Sequence, residues 1–154
     1  ISDRFGGGRV TLWTFVVMIA AVLGVLFFLG IREQPVAFWG FFAMFMILFF
    51  ATGVGNASTF QMIPVIFRKE VARLMPRASA DEQTHEAERE AAATIGFTAA
   101  IAAYGAFIIP KAYGTSIEYT GGAEPALYLF IAFYAVCVGL TWWFYTRRNA
   151  EIRC

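Results

Sequence analysis

Charge is scarce in this chain, and its distribution excludes more than its amount. Only 15% of the 154 residues are Asp, Glu, Lys or Arg, while 59% are hydrophobic and 18% aromatic; a soluble domain carries about 25% charged residues. All eleven carboxylates, from Asp3 to Glu151, and all twelve Lys and Arg residues fall outside four long apolar runs. A proton relay built on Asp or Glu is thereby excluded from those runs, and an anion inside them lacks a positive partner. The net charge of +1 comes from basic residues at segment ends, which form no patch, so no nucleic-acid partner is expected. Cysteine is nearly missing. Cys137 sits in an apolar run and Cys154 is the last residue, with no CxxC or Cys/His spacing to suggest a metal site or a disulfide. The lone histidine, His85, lies among glutamates and reads as a solvated surface residue rather than a ligand or base. No nucleophile–base pair and no Gly-rich phosphate loop after a strand is present. No catalytic residue, metal or cofactor is expected. A signal peptide is also missing: the polar, Gly-rich first ten residues have no basic n-region followed by an apolar h-region. Beginning at Ile1 rather than Met, the chain reads as cut inside a longer protein.

What is there is apolar length. Runs at about 10–31, 36–67, 91–109 and 125–145 each reach the roughly 20 residues needed to cross hydrocarbon. The expected fold class is therefore all-α: a polytopic membrane protein with four transmembrane helices and the lipid bilayer as its surroundings. Residues 1–10, ISDRFGGGRV, read as a polar turn at a membrane surface, and Arg32 to Pro35 as a second turn. The charged stretch 68–90 reads as a surface loop in which Ser79 and Glu82 form a capping box, starting a helix near Ala80. The third run is expected to end at Pro110 and Lys111, with a loop over Tyr113, Gly114, Gly121, Gly122 and Glu124 before the fourth. Trp142, Trp143 and Tyr145 mark the last interface. Four crossings put both termini on one side. That side would hold Arg4, Arg9, Arg68, Lys69, Arg73, Arg77, Arg89, Arg147, Arg148 and Arg153, against Arg32 and Lys111 on the other. The asymmetry predicts cytoplasmic termini and a cytoplasmic 68–90 loop.

Two stretches break the apolar monotony. From Ala51 to Gln61 the second run turns small and polar, ATGVGNASTFQ, with Thr52, Asn56 and Thr59 on one helical face and Ser58 and Gln61 on others. An amide or hydroxyl in hydrocarbon needs a partner, which another helix or a polar cavity could supply. Gly53, Gly55 and Pro64 predict a kinked or softened segment over 53–64. In the third run, GFTAAIAAYGAFII over 96–109 places Gly96, Thr98, Ala99, Ala100, Ala102, Ala103, Gly105 and Ala106 in one arc. Phe97, Ile101, Tyr104 and Ile108 fill the opposite side. A small arc admits close approach, so it should face protein or a cavity, with tight helix packing as the reading that involves no substrate.

The order of residues adds a resemblance. SDRFGGGRV at 2–10 resembles the loop motif of the major facilitator superfamily, carried here by Asp3, Arg4 and Arg9. TGVGNASTFQMIPVIFR at 52–68, GFTAAIAAYGAFIIPKAYG at 96–114 and LTWWFYTRRNAE at 140–151 resemble the C-terminal part of that superfamily's nitrate/nitrite porters. The likeness covers essentially the whole chain. It implies helices nine to twelve of a twelve-helix secondary transporter in the cell inner (cytoplasmic) membrane, working by alternating access on nitrate and/or nitrite together with N-terminal helices absent here. It also implies that Gly96, Thr98, Ala99, Tyr104 and Gly105 belong to a nitrate signature, and Asn56, Ser58 and Thr59 to the polar segment of the preceding helix, along the substrate path. The family's substrate-binding arginines precede Ile1. A facilitator for another small anion or solute, and a non-transporting membrane assembly subunit, are the alternatives.

Overall fold

In the computed structural model, residues 7–147 are described, and nearly all of them are helical. Four helices follow one another: α1 (Gly7–Gly30), α2 (Pro35–Leu74), α3 (Ala80–Thr120) and α4 (Glu124–Thr141), the last extended by a π turn, Trp142–Thr146. No strand occurs among the described residues. With the π turn counted into α4, all four are long and apolar enough to cross a membrane.

The helices start where local chemistry permits. Pro35 occupies the first turn of α2, where its missing N–H is no loss. The capping box at α3 is present in full: the Ser79 N–H donates to Glu82 Oε2 at 2.9 Å and the Glu82 N–H donates to Ser79 Oγ at 3.2 Å. At its other end α3 stops at Gly121, whose φ of 76° places it in the left-handed region that favours glycine, with its N–H bonded to the Ile117 carbonyl.

Several boundaries differ from the sequence expectation. Residues 7–10 are the first turn of α1 rather than part of a turn, and residues 1–6 lie outside the described residues together with Asp3 and Arg4. The stretch 68–90 is mostly a helical hairpin: α2 runs on to Leu74, α3 begins at Ala80, and only 75–79 are non-helical. Gln83 closes that turn, its side-chain amide donating to the Met75 and Ala78 carbonyls at 2.8 and 3.2 Å. The largest correction concerns α3, which passes through Pro110 and continues to Thr120. Proline inside a membrane helix removes one hydrogen bond without ending the helix when neighbouring groups make good the loss. Tyr113 and Gly114 are therefore helical, and the connection to α4 shrinks to 121–123. Lys111 is thereby helical although beyond the apolar run 91–109, as Arg9, Arg68, Lys69, Arg73 and Arg89 are helical outside theirs. α2 includes Gly53, Gly55 and Pro64 within its 40 residues.

α1 is the hub, packing on α2 along its length and on α4. Its buried positions, Gly8, Thr11, Thr14, Met18, Ala21, Val22 and Val25, form one stripe at the three- and four-residue spacing of a helix face. At one end of the bundle Val22, Val25 and Leu127 make the core, with Phe41, Met44 and Phe45 packed around them. The large side chains mostly point outward: Phe50 is 76% and Phe97 70% exposed. That inversion suits lipid, which leaves no hydrophobic drive to bury them, so interfaces form where small residues let backbones approach.

Candidate functional site

The two sequence-predicted groups occupy different environments. On α2, Ser58 is 2% exposed and faces α1. Its hydroxyl lies 2.9 Å from that of Thr11 and donates to the Gly7 carbonyl at 3.1 Å. The Thr11 hydroxyl also reaches Gly7 O at 3.0 Å and the Met62 sulfur at 3.7 Å. One turn of α1, Gly7 to Thr11, and one turn of α2, Ser58 to Met62, are thus tied together by two hydroxyls. The helices approach closely here because Gly55 has no side chain: a Cβ at that position would sit 3.0 Å from Thr14 Cγ2. Ser58 therefore serves helix association, as an interhelical hydrogen bond in hydrocarbon can.

Asn56, Thr59 and Thr52 are exposed, and Thr59 borders a groove shared with Thr11 and Phe15 of α1 and Cys137 and Thr141 of α4. The threonines bond back within their own helix, Thr59 Oγ1 donating to Gly55 O at 2.9 Å and Thr52 Oγ1 to Leu48 O at 2.8 Å. The Asn56 side chain has no hydrogen bond among the described residues. It remains available to a partner outside this bundle.

On α3, Gly96, Thr98, Ala99 and Tyr104 are exposed and Gly105 is half-buried. A Cβ on Gly96 or Gly105 would meet nothing within 4 Å. Thr98 bonds its own helix, donating to Thr94 O at 2.8 Å. The helix is held only near its ends. Ala87 and Ala91 are buried at the start, and across α3 and α2 Arg68 and Glu88 stand 3.9 Å apart. Near the other end the Ser116 hydroxyl donates to Gly122 O at 2.8 Å, and the Tyr113 and Phe130 rings lie 5.4 Å apart. Between these anchors neither the small arc nor the bulky side is covered by α1, α2 or α4. Lys111 belongs to this helix too, its ammonium 5.7 Å from the Phe107 ring centroid. No hydrogen bond or ring contact joins the α2 group to the α3 group among the described residues.

Among the polar side chains of the four apolar runs, Thr14, Ser58 and Thr141 are buried, and Thr94 and Tyr134 half-buried. Gln61, Thr98, Tyr104 and Tyr128 join Thr52, Asn56 and Thr59 as exposed. Thr11 and Ser116, both buried and hydrogen-bonded, were missed. Thr11 was findable, being three residues before Thr14 on the apolar stripe of α1. Ser116 was not, because it lay in the assumed loop. Arg9 is exposed at the start of α1. No group of three or more His, Cys, Asp or Glu residues gathers among the described residues.

Known proteins match this chain at full length. It is 48% identical over 152 residues to the nitrate/nitrite transporter NarU of Escherichia coli K12, an alignment covering 97% of this chain and 32% of that protein. The nitrate/nitrite transporter NarU of Salmonella typhimurium LT2 is 46% identical over 154 residues, 98% of this chain and 33% of that protein. The probable nitrate/nitrite antiporter NarK2 of Thermus thermophilus is 34% identical over 158 residues, spanning 100% of this chain and 30% of its own length. No family model matches. The chain thus spans about a third of the length of the curated relatives it matches. Its four membrane-length helices and its agreement with these relatives from end to end place it in the nitrate/nitrite porter family.

Proposed function

We propose that this chain is part of a secondary transporter that moves nitrate, nitrite or both across the bacterial inner membrane by alternating access. Its helices α1 to α4 would be helices nine to twelve of the C-terminal bundle, with the remaining helices in the longer polypeptide. The observation that carries the reading is the 48% identity to a nitrate/nitrite transporter over 97% of the chain. What the geometry adds is a pair of free faces. The small arc of α3 and the Asn56 side of α2 lack neighbours within this bundle, as expected of surfaces that meet other helices or a solute. Gly96, Thr98, Ala99, Tyr104 and Gly105, with Asn56 and Thr59, would line the path, while Ser58 would hold α2 to α1. An anion also needs positive potential, and Lys111 supplies a cation within α3.

For the termini we infer the cytoplasmic side. The end of the bundle holding Arg9, Arg68, Lys69, Arg73, Arg77, Arg89 and Arg147 outweighs the end holding Arg32 and Lys111. Alternating access would rock the C-terminal bundle against the rest around a midplane site.

Purified full-length protein in proteoliposomes loaded with nitrite tests the proposal. Counterflow of labelled nitrite is expected, and folded protein without exchange would defeat it. A competition series of anions against nitrate separates this cargo from another small anion.

A further inference from the structure

We propose that the groove between α1 and α2 at the arginine-bearing end of the bundle holds an acyl chain of an anionic phospholipid, with Arg9 binding the phosphate. The groove measures about 480 Å³ and is lined by Arg9, Trp13, Thr14 and Val17 of α1 and by Phe50 and Val54 of α2, among others. Small-molecule pockets occupy about 300–1,000 Å³, so the space is ligand-sized. From Arg9 to Val17 it follows α1 for about 12 Å at 1.5 Å per residue. It therefore runs along the helices, the direction in which an acyl chain lies.

Its chemistry has two ends. Along the slot the lining is apolar, and the one hydroxyl, Thr14 Oγ1, is committed to the Val10 carbonyl at 2.9 Å. At the mouth stands Arg9, exposed and without an ion pair among the described residues. A guanidinium heading an apolar slot matches a phosphate followed by a hydrocarbon chain. A nitrate-sized anion would engage Arg9 and leave the slot empty. An apolar helix would fill the slot and leave Arg9 without a counter-charge. Trp13 and Phe50, 67% and 76% exposed, flank the groove as walls. The proposal needs a bilayer around the chain but does not depend on the cargo.

Brominated lipids quench a tryptophan they touch, so Trp13 reports occupancy. The full-length protein and its Trp13→Phe variant are reconstituted in vesicles of brominated phosphatidylglycerol or brominated phosphatidylcholine, and the Trp13 signal is taken as their difference. Preferential quenching by phosphatidylglycerol is expected. Arg9→Gln should reduce that preference about fivefold, the effect of one headgroup-level cation, and Arg9→Lys should retain it. Trp13 shielded from both lipids, as it would be under another helix, overturns the proposal. So does an unchanged preference in Arg9→Gln. Should that variant not fold, the parent protein decides: equal quenching by the two lipids overturns the proposal.

Discussion

Ser58 shows what one buried hydroxyl can do between two packed helices. Its Oγ joins Thr11 and the Gly7 carbonyl across two helices, and an interhelical hydrogen bond in a membrane protein contributes about 0.6 kcal/mol on average, reaching about 1.7. Ser58→Ala should therefore lower the unfolding free energy of the detergent-solubilised full-length protein by an amount in that range. In a double-mutant cycle with Thr11→Val the two losses should couple, because they remove the same contact. The glycines nearby separate by geometry. At Gly55 a methyl group would press on Thr14 at 3.0 Å, whereas at Gly53 it would meet nothing within 4 Å. Gly53→Ala should be neutral or stabilise by up to about 1 kcal/mol through helix propensity. Gly55→Leu should part α1 from α2, read as loss of monodisperse protein or a lowered unfolding midpoint.

Among the elements, the hairpin of α2 and α3 outside the apolar runs rests on local hydrogen bonds and exposed ion pairs. Arg73–Glu70 at 2.8 Å, Arg89–Glu86 at 2.9 Å and Arg68–Glu88 at 3.9 Å are each worth little at a surface. The capping box is more specific. Hydrogen bonds from the Ser79 backbone and then its hydroxyl hold the Glu82 carboxyl below its ordinary pKa. A carboxylate with a lowered folded pKa stabilises the fold above its unfolded pKa, and that contribution is lost as pH falls through the folded value. Amide exchange at Ser79, Glu82 and Gln83, whose N–H groups donate to Glu82 Oε2, Ser79 Oγ and the Ser79 carbonyl, should therefore stay slow from pH 7 to pH 5 once corrected for intrinsic rates. It should lose protection only under stronger acid. Glu82→Ala should remove the protection at neutral pH.

At this scale too, the limits of the sequence become visible. The start of α3 could be read because Ser79 and Glu82 specify it through contacts three residues apart. Its end could not. Pro110 and Lys111 look like a stop, yet the helix runs on to Gly121, because whether a proline ends a helix depends on what surrounds the carbonyl it leaves unpaired. The same limit divides the polar residues of α2. Ser58, Asn56 and Thr59 lie within four positions, and only the placement of α1 buries the first and exposes the other two.

In the whole molecule, α1, α2 and α4 enclose a core, while the middle of α3 stands free. At 41 residues α3 is about 60 Å long, twice the thickness of the hydrocarbon. Its anchors lie near the ends. Gly96→Leu or Gly105→Leu should abolish uptake of labelled nitrate by the full-length protein, since a bulky group would fill the arc that other helices or the anion approach. Phe97→Leu, on the opposite side, should leave uptake within about twofold. Normal uptake in both glycine variants would show that the arc faces lipid. Lys111→Gln should lower nitrate uptake at unchanged folding, and unaltered transport would remove this cation from the path.

Four crossings, their approximate starts and the charge asymmetry were set by the sequence alone, because hydrocarbon thickness and charge desolvation act on each segment whatever its neighbours. Only the tertiary structure decided which hydroxyls are buried, that α3 carries Lys111 within it, and which faces stay uncovered. Those depend on which helix lies beside which, and in lipid that choice rests on close steric fit between small residues rather than on hydrophobicity.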